Sequence, residues 1–90
     1  MFGAVPTISV FFGIAIRMYH NDHLPPHFHA EYQGRTGTFS LNGEVIAGSI
    51  TSLAAHRLIR EWAALHGGEL EDNWERARQS QAIASIEPLR

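Results

Sequence analysis

The spacing of apolar residues changes near residue 50, and this change constrains the fold more than any other feature of the chain. Before it, short β-prone segments alternate with turn residues; after it, apolar residues recur at helical spacing, as in Leu58, Ile59 and Trp62. Strands followed by helices are typical of α+β domains. The 90 residues suffice for a single domain. We therefore expect an antiparallel meander of three to four strands, with two helices packed on one face.

The sequence divides into four predicted regions. Residues 1–5 are predicted to be a loose N-terminus, residues 6–50 the β meander with a His-rich loop, and residues 51–80 the two helices. Residues 81–90 form a tail in which Pro88 argues against order. Within the meander, Asn42-Gly43 predicts a two-residue type I′ hairpin turn. Thr51 or Ser52 is suited to cap the first helix, and Gly67-Gly68 is expected to end it.

Histidine is concentrated in one short segment, because four of the six His lie between His20 and His29. The chain has no Cys, which excludes disulfides, thiolate metal sites and cysteine nucleophiles. All seven basic residues are Arg, so a Schiff-base or P-loop lysine is also excluded. The formal net charge of −2 gives no sign of a nucleic-acid-binding surface.

Side-chain alternation places part of this segment on one face of a predicted strand. Phe28, Ala30 and Tyr32 should face the helices, which leaves His27, His29 and Glu31 in a row on the opposite face. If the preceding strand pairs antiparallel with this one, Arg17 and Tyr19 share that polar face. The adjoining loop contributes Asn21, Asp22 and His23.

Three functional interpretations of these residues remain open, beside a purely structural role for the imidazoles. The first is a divalent metal site, in which His27 and His29 are joined by Asp22 or Glu31. The second is general acid–base catalysis, and the third is a protein-binding surface. The catalytic candidates are Asp22, His23, His27, His29 and Glu31, the binding candidates are Arg17, Tyr19 and Asn21, and the metal candidates are His27, His29 and Asp22.

The apolar segment 5–16 does not have the pattern of a targeting or membrane segment. Pro6 interrupts it, no basic region precedes it, and it is too short to cross a bilayer. We therefore expect a cytoplasmic protein with no membrane contact.

Several motifs resemble the bacterial family called domain of unknown function 4160. They lie in both halves of the chain and are Pro6-Thr7-Ile8, Asn21-Asp22-His23, Pro25-Pro26-His27-Phe28-His29-Ala30, Glu61-Trp62 and Asn73-Trp74. The resemblance extends from about Pro6 to Arg78. It implies a small prokaryotic protein encoded beside a short partner of the family called domain of unknown function 2442.

That gene arrangement resembles a toxin–antitoxin pair. The resemblance therefore implies that this chain is the toxin and that the small cognate partner neutralises it, with the His-rich strand face as the active or target-binding surface. The alternatives are a small metal-binding, hydrolase-like domain and a non-toxic protein-binding module. An exposed sheet face or edge would also favour a homodimer.

Overall fold

The computed structural model describes residues 6–90 and confirms the α+β class, with a five-stranded antiparallel sheet followed by two helices. The elements are β1 (Thr7–Phe11), β2 (Ile14–Arg17), β3 (His27–Tyr32), β4 (Arg35–Ser40), β5 (Val45–Gly48), α1 (Leu53–Leu65) and α2 (Gly67–Arg78). The prediction of three to four strands was too low, because residues 7–11 form a strand of their own. The loose segment predicted at residues 1–5 lies outside the described residues.

The strands follow one another across the sheet in the order β1-β2-β3-β4-β5. The β1–β2 and β3–β4 connections, Phe12-Gly13 and Gln33-Gly34, have positive φ at both residues, as a type I′ turn requires. The type I′ prediction for Asn42-Gly43 is wrong, because only Gly43 has a positive φ there. The backbone N–H of Gly43 instead donates to the Ser40 carbonyl at 2.8 Å.

One face of the sheet packs against the helices, and Trp62 of α1 lies in the middle of this core. Its ring centroid is 5.4 Å from that of Phe11 and 5.7 Å from that of Phe28. The indole N–H donates to the Glu87 carbonyl at 2.8 Å, which satisfies the polar atom of a fully buried side chain. Ser52 caps α1 as expected, by accepting from the backbone N–H of Ala55.

Gly67-Gly68 is expected from the sequence to end the first helix, but both residues belong to the second helix. Both glycines lie inside the first turn of α2, and His66 alone separates the two helices. Its ring nitrogen Nδ1 lies 2.6 Å from Oε1 of Glu69. Among the described residues, neither helix is long and apolar enough to cross a membrane.

The C-terminal tail is packed, contrary to the expectation drawn from Pro88. Ile86 and Leu89 are buried in the same core as the sheet and helices. Asn73 of α2 binds the tail twice: its Nδ2 donates to the Ala84 carbonyl at 2.8 Å, and the Ala84 N–H donates to its Oδ1 at 2.9 Å. The N–H of Ile86 also donates to the Ile8 carbonyl. The tail therefore joins α2 to the edge strand β1.

Candidate functional site

The His-rich loop between β2 and β3 is held by the end of α2. The backbone N–H of Asn21 donates to the Ala77 carbonyl at 3.1 Å, and its side-chain amide donates to Ser80 Oγ at 3.4 Å. Asn21 adopts a left-handed backbone conformation, with φ +56°, which Asn tolerates better than most residues. His20 Nε2 donates to the Gln81 carbonyl at 2.9 Å. In this structure Asn21, a predicted binding residue, anchors the loop.

Asp22 is the centre of the site that this loop builds. Its Oδ2 lies 2.8 Å from Nε2 of His27 and 3.0 Å from Nε2 of His29. Its Oδ1 accepts the backbone N–H of His23 at 2.9 Å. One ligand atom from each of Asp22, His27 and His29 lies within 4.8 Å of the other two. The structure thus brings together the three residues that the sequence indicated as metal candidates.

The His27 ring is fixed on every side. Its Nδ1 lies 2.7 Å from the Pro25 carbonyl and therefore donates a hydrogen bond to it. The ring packs against Trp74 of α2 with a centroid distance of 5.4 Å, and only 2% of the residue is exposed. The expectation that His27 would lie on an open face is wrong, because Trp74 and the loop enclose the start of β3.

The carboxyl group of Asp22 is kept ionised by its neighbours. Partial burial alone would raise its pKa, since burial disfavours the charged form. The hydrogen bonds from His29 and the His23 backbone, together with the charge of His27, outweigh that effect. The pKa of Asp22 therefore lies below its ordinary value. An ionised carboxylate beside two imidazoles is the form that binds cations.

His23, predicted as a catalytic candidate, lies at the edge of the site. Its side chain is 80% exposed, and its Nε2 is 3.7 Å from Oδ1 of Asp22, beyond the reach of a hydrogen bond. Its Nδ1 donates to the Leu24 carbonyl at 3.1 Å. The ring stands 5.0 Å from that of His27 without joining the three-residue group.

The remaining candidates lie next to His29 on the open sheet face. Arg17 of β2 pairs with His29 of β3 across the two strands, as the proposed antiparallel pairing predicted. The Arg17 guanidinium donates to Oε1 of Glu31 at 2.7 Å, and the Tyr19 ring lies 4.4 Å from the His29 ring. Glu31 thus pairs with Arg17, so Asp22 is the carboxylate that contacts the two imidazoles.

The donor set of Asp22, His27 and His29 suits a divalent transition metal. Two imidazole nitrogens and a carboxylate oxygen bind zinc, iron, nickel or manganese at about 2.0–2.2 Å. Nitrogen–oxygen separations of 2.8 and 3.0 Å are hydrogen-bond distances, and they also match ligands about 90° apart around one ion, whereas tetrahedral ligands lie roughly 3.4 Å apart. A ligand His usually donates its other ring N–H to a carbonyl or carboxylate, as His27 does to Pro25.

Sequence reasoning missed two residues that shape this site. The Pro25 carbonyl fixes the His27 ring, and the only local signal was its position two residues before that His. Trp74 covers His27 from a helix 47 positions along the chain, and no local pattern reveals such a contact. Trp74 itself is buried in the core.

A family model described as Domain of unknown function (DUF4160) matches residues 13–75. The chain belongs to this family. The matched span contains Asp22, His27 and His29, together with strands β2 to β5, α1 and most of α2. The search of curated proteins and the search of solved structures gave no match. The family description assigns no activity, so function has to be argued from the site itself.

Proposed function

We propose that the protein is a divalent-metal-binding domain in which Asp22, His27 and His29 hold the ion. The observation that carries the proposal is the convergence of two imidazole Nε2 atoms on one carboxylate oxygen, Oδ2 of Asp22, at 2.8 and 3.0 Å. Each of these three atoms is a good ligand for a first-row divalent ion.

Hydrogen-bond requirements at His27 support a cation between these groups. The Pro25 carbonyl requires an N–H at Nδ1, so a neutral His27 has a lone pair at Nε2. That lone pair faces the carboxylate of Asp22, which also carries only acceptors when ionised. Two acceptors at 2.8 Å repel unless a proton bridges them or one metal ion binds both. A metal ion satisfies both without an additional proton on the ring.

Three protein ligands leave coordination positions for water or substrate, as in catalytic rather than closed structural sites. His27 and Asp22 are largely enclosed, whereas 26% of the His29 side chain is exposed, so solvent reaches the site from the side of His29. An ion held in this way polarises a water molecule or a substrate oxygen. We therefore propose hydrolysis as the reaction class of the site.

Metal titration of untagged, chelator-treated protein tests this proposal. We expect calorimetry with zinc, manganese, nickel or cobalt to give one ion per chain. Asp22→Asn is close to isosteric, and His29→Ala removes a partly exposed ring, so both variants should fold. Each variant should bind the ion at least about 10- to 100-fold more weakly or lose binding altogether. That range is the one seen when residues around a metal ligand are replaced.

His56→Ala and Asp72→Asn are the matched controls, since they remove the same chemical groups outside the three-residue set and outside the loop that carries Asp22. Circular dichroism of every variant separates lost binding from lost folding. The proposal is wrong if the wild-type chain binds no stoichiometric ion at neutral pH, or if Asp22→Asn and His29→Ala bind as tightly as the controls.

The family resemblance implies that the protein is a toxin. This role describes an effect on the cell, whereas metal binding describes the chemistry of the site, so the two proposals are compatible. If the chain is a cytoplasmic toxin neutralised by a small partner, we propose that the Asp22–His27–His29 group is its active surface. The protein-binding alternative differs from it in predicting a complex without toxicity.

A further inference from the structure

A row of three side chains crosses strands β2, β3 and β4 beside the proposed metal site. Arg17 pairs with His29, and His29 pairs with Thr38. Residues that pair directly across antiparallel strands lie on the same face of the sheet. His29 therefore has a residue with a guanidinium group on one side and a residue with a hydroxyl group on the other, both on the same face of the sheet.

The guanidinium group of Arg17 retains hydrogen-bonding capacity. Its contact with Glu31 uses one nitrogen, Nη1, at 2.7 Å. Arginine carries five N–H donors in a planar fork, and 32% of this side chain is exposed. The remaining donors can therefore reach a ligand from solvent. Carboxylates and phosphates are the groups that match this fork best.

The charge of the loaded site also favours an anion. One carboxylate, Asp22, neutralises half the charge of a divalent ion, and the charges of Arg17 and Glu31 cancel. One positive charge remains beside an open coordination position, on a chain whose formal net charge is −2. Water at that position leaves the charge uncompensated, whereas an oxyanion compensates it.

Tyr19 limits the space around this position. Its ring is tilted by 30° against the His29 ring at a centroid distance of 4.4 Å, and it thereby forms a wall on one side of that ligand. The half-buried Thr38 provides a neutral hydroxyl donor on the opposite side. A compact group with several acceptor oxygens matches the chemistry of a cation, a guanidinium and a hydroxyl.

We propose that the site binds an oxyanion group, a phosphoryl or carboxylate group of the substrate, with one oxygen on the metal ion and another on Arg17. This inference rests on the metal site proposed above and names the class of ligand for its open position. Arg17 is assigned as a binding residue, and Glu31 as the group that restrains it when no ligand is bound.

Anion titration of the cobalt-loaded protein tests the assignment, because the visible absorption of cobalt responds when a ligand enters its coordination shell. Methylphosphonate and acetate serve as separate probes for the phosphoryl and the carboxylate group. At least one should give a saturable change. Arg17→Gln should weaken that binding about tenfold or more, as expected for loss of a charge-assisted hydrogen bond, while cobalt affinity stays within about twofold.

Glu31→Gln tests the same assignment, because it should raise the anion affinity that Arg17→Gln lowers. Removing this carboxylate frees Arg17 and removes a negative charge, so the anion should bind more tightly than to wild type. If the ion pair only stabilised the sheet, both variants would weaken binding together. Arg35→Gln is the matched control, because Arg35 is an exposed arginine at the other end of the β3–β4 pair, bonded to the Ser49 carbonyl.

The outcomes separate this inference from the proposed function. If wild-type protein binds no cobalt, the metal site and the anion site both fail. If it binds cobalt but its spectrum responds to neither probe, or responds equally in Arg17→Gln and Arg35→Gln, only the anion inference is overturned. Chloride at equal ionic strength must not reproduce the change.

Discussion

Nε2 of His27 lies 2.8 Å from Oδ2 of Asp22, while Nδ1 of the same ring lies 2.7 Å from the carbonyl oxygen of Pro25. Both facing atoms accept hydrogen bonds, and a neutral imidazole carries only one N–H. A divalent ion at Nε2 would bind the lone pair that a proton would otherwise take, so the ion and a proton compete for one nitrogen.

Metal binding is therefore expected to release protons. Calorimetric titrations in buffers of different ionisation enthalpy should show proton release that grows as the pH is lowered, because the ligand nitrogens must be unprotonated to bind. His56→Ala, which leaves the three ligands and their loop intact, should release the same number of protons. A binding enthalpy that is identical in all buffers at every pH would contradict binding of the ion through the imidazole nitrogens.

The acid stability of the metal-free protein should depend on Asp22. Since the pKa of Asp22 is lowered in the folded chain, its ionised form stabilises the fold above the ordinary carboxyl pKa, about 4, and this stabilisation is lost as the pH falls through the lowered value. In urea denaturation with chelator present, wild type should exceed Asp22→Asn in free energy of unfolding at pH 6. The difference should shrink towards pH 3, and Asp72→Asn should show no such convergence.

Much of the sheet and of the candidate site follows from local patterns in the sequence. Alternation along β3 separates Phe28 and Ala30, which are buried in the core, from His29 and Glu31 on the open face. Antiparallel pairing with the preceding strand then places Arg17 beside His29. These relations depend on a period of two residues and on strand order, and both can be read without knowledge of distant contacts.

What the sequence did not reveal depends on contacts between residues that are far apart in the chain. The burial of His27 arises from Trp74, and the order of the tail arises from Asn73 and Trp62. The conformation of the β4–β5 turn reflects a contact with α1 as well as its own residues: a Cβ on Gly43 would lie 2.7 Å from the Cα of Arg60. Secondary-structure propensities reflect only residues that are close in sequence. Each of these contacts joins residues more than ten positions apart, so propensities do not reveal it.

Replacing Asn73 should release the C-terminal tail. Asn73→Ala removes two hydrogen bonds to the backbone of Ala84, an exposed residue, and leaves its N–H and carbonyl without these partners. At roughly 1 kcal/mol for each bond, we expect a loss of about 2 kcal/mol in the free energy of unfolding. Hydrogen exchange should rise first in residues 83–87. Unchanged exchange there would mean that the apolar contacts of Ile86 and Leu89 hold the tail unaided.

Gly43 is expected to tolerate no side chain. Its φ of +87° strains an L-residue, and an added Cβ would clash with the α1 backbone at Arg60. Gly43→Ala should therefore lower the free energy of unfolding by more than about 1 kcal/mol. Gly34→Ala is the matched control, because its φ is similar, at +78°, but an added Cβ there meets no atom within 4 Å. Equal losses in the two variants would show that backbone strain alone accounts for the effect.

The family resemblance leads to a prediction about growth. If the chain is a toxin, its expression should arrest growth of a bacterial host, and co-expression of the neighbouring gene of the domain of unknown function 2442 family should restore it. Asp22→Asn and His29→Ala should abolish the arrest if the metal site is the active surface, whereas Asp72→Asn should remain toxic. Because the exchange of Asp22 for Asn changes little in shape, the inactive chain should still co-purify with its partner. A complex without any growth defect would instead favour the non-toxic binding module, and neither complex nor defect would refute both roles.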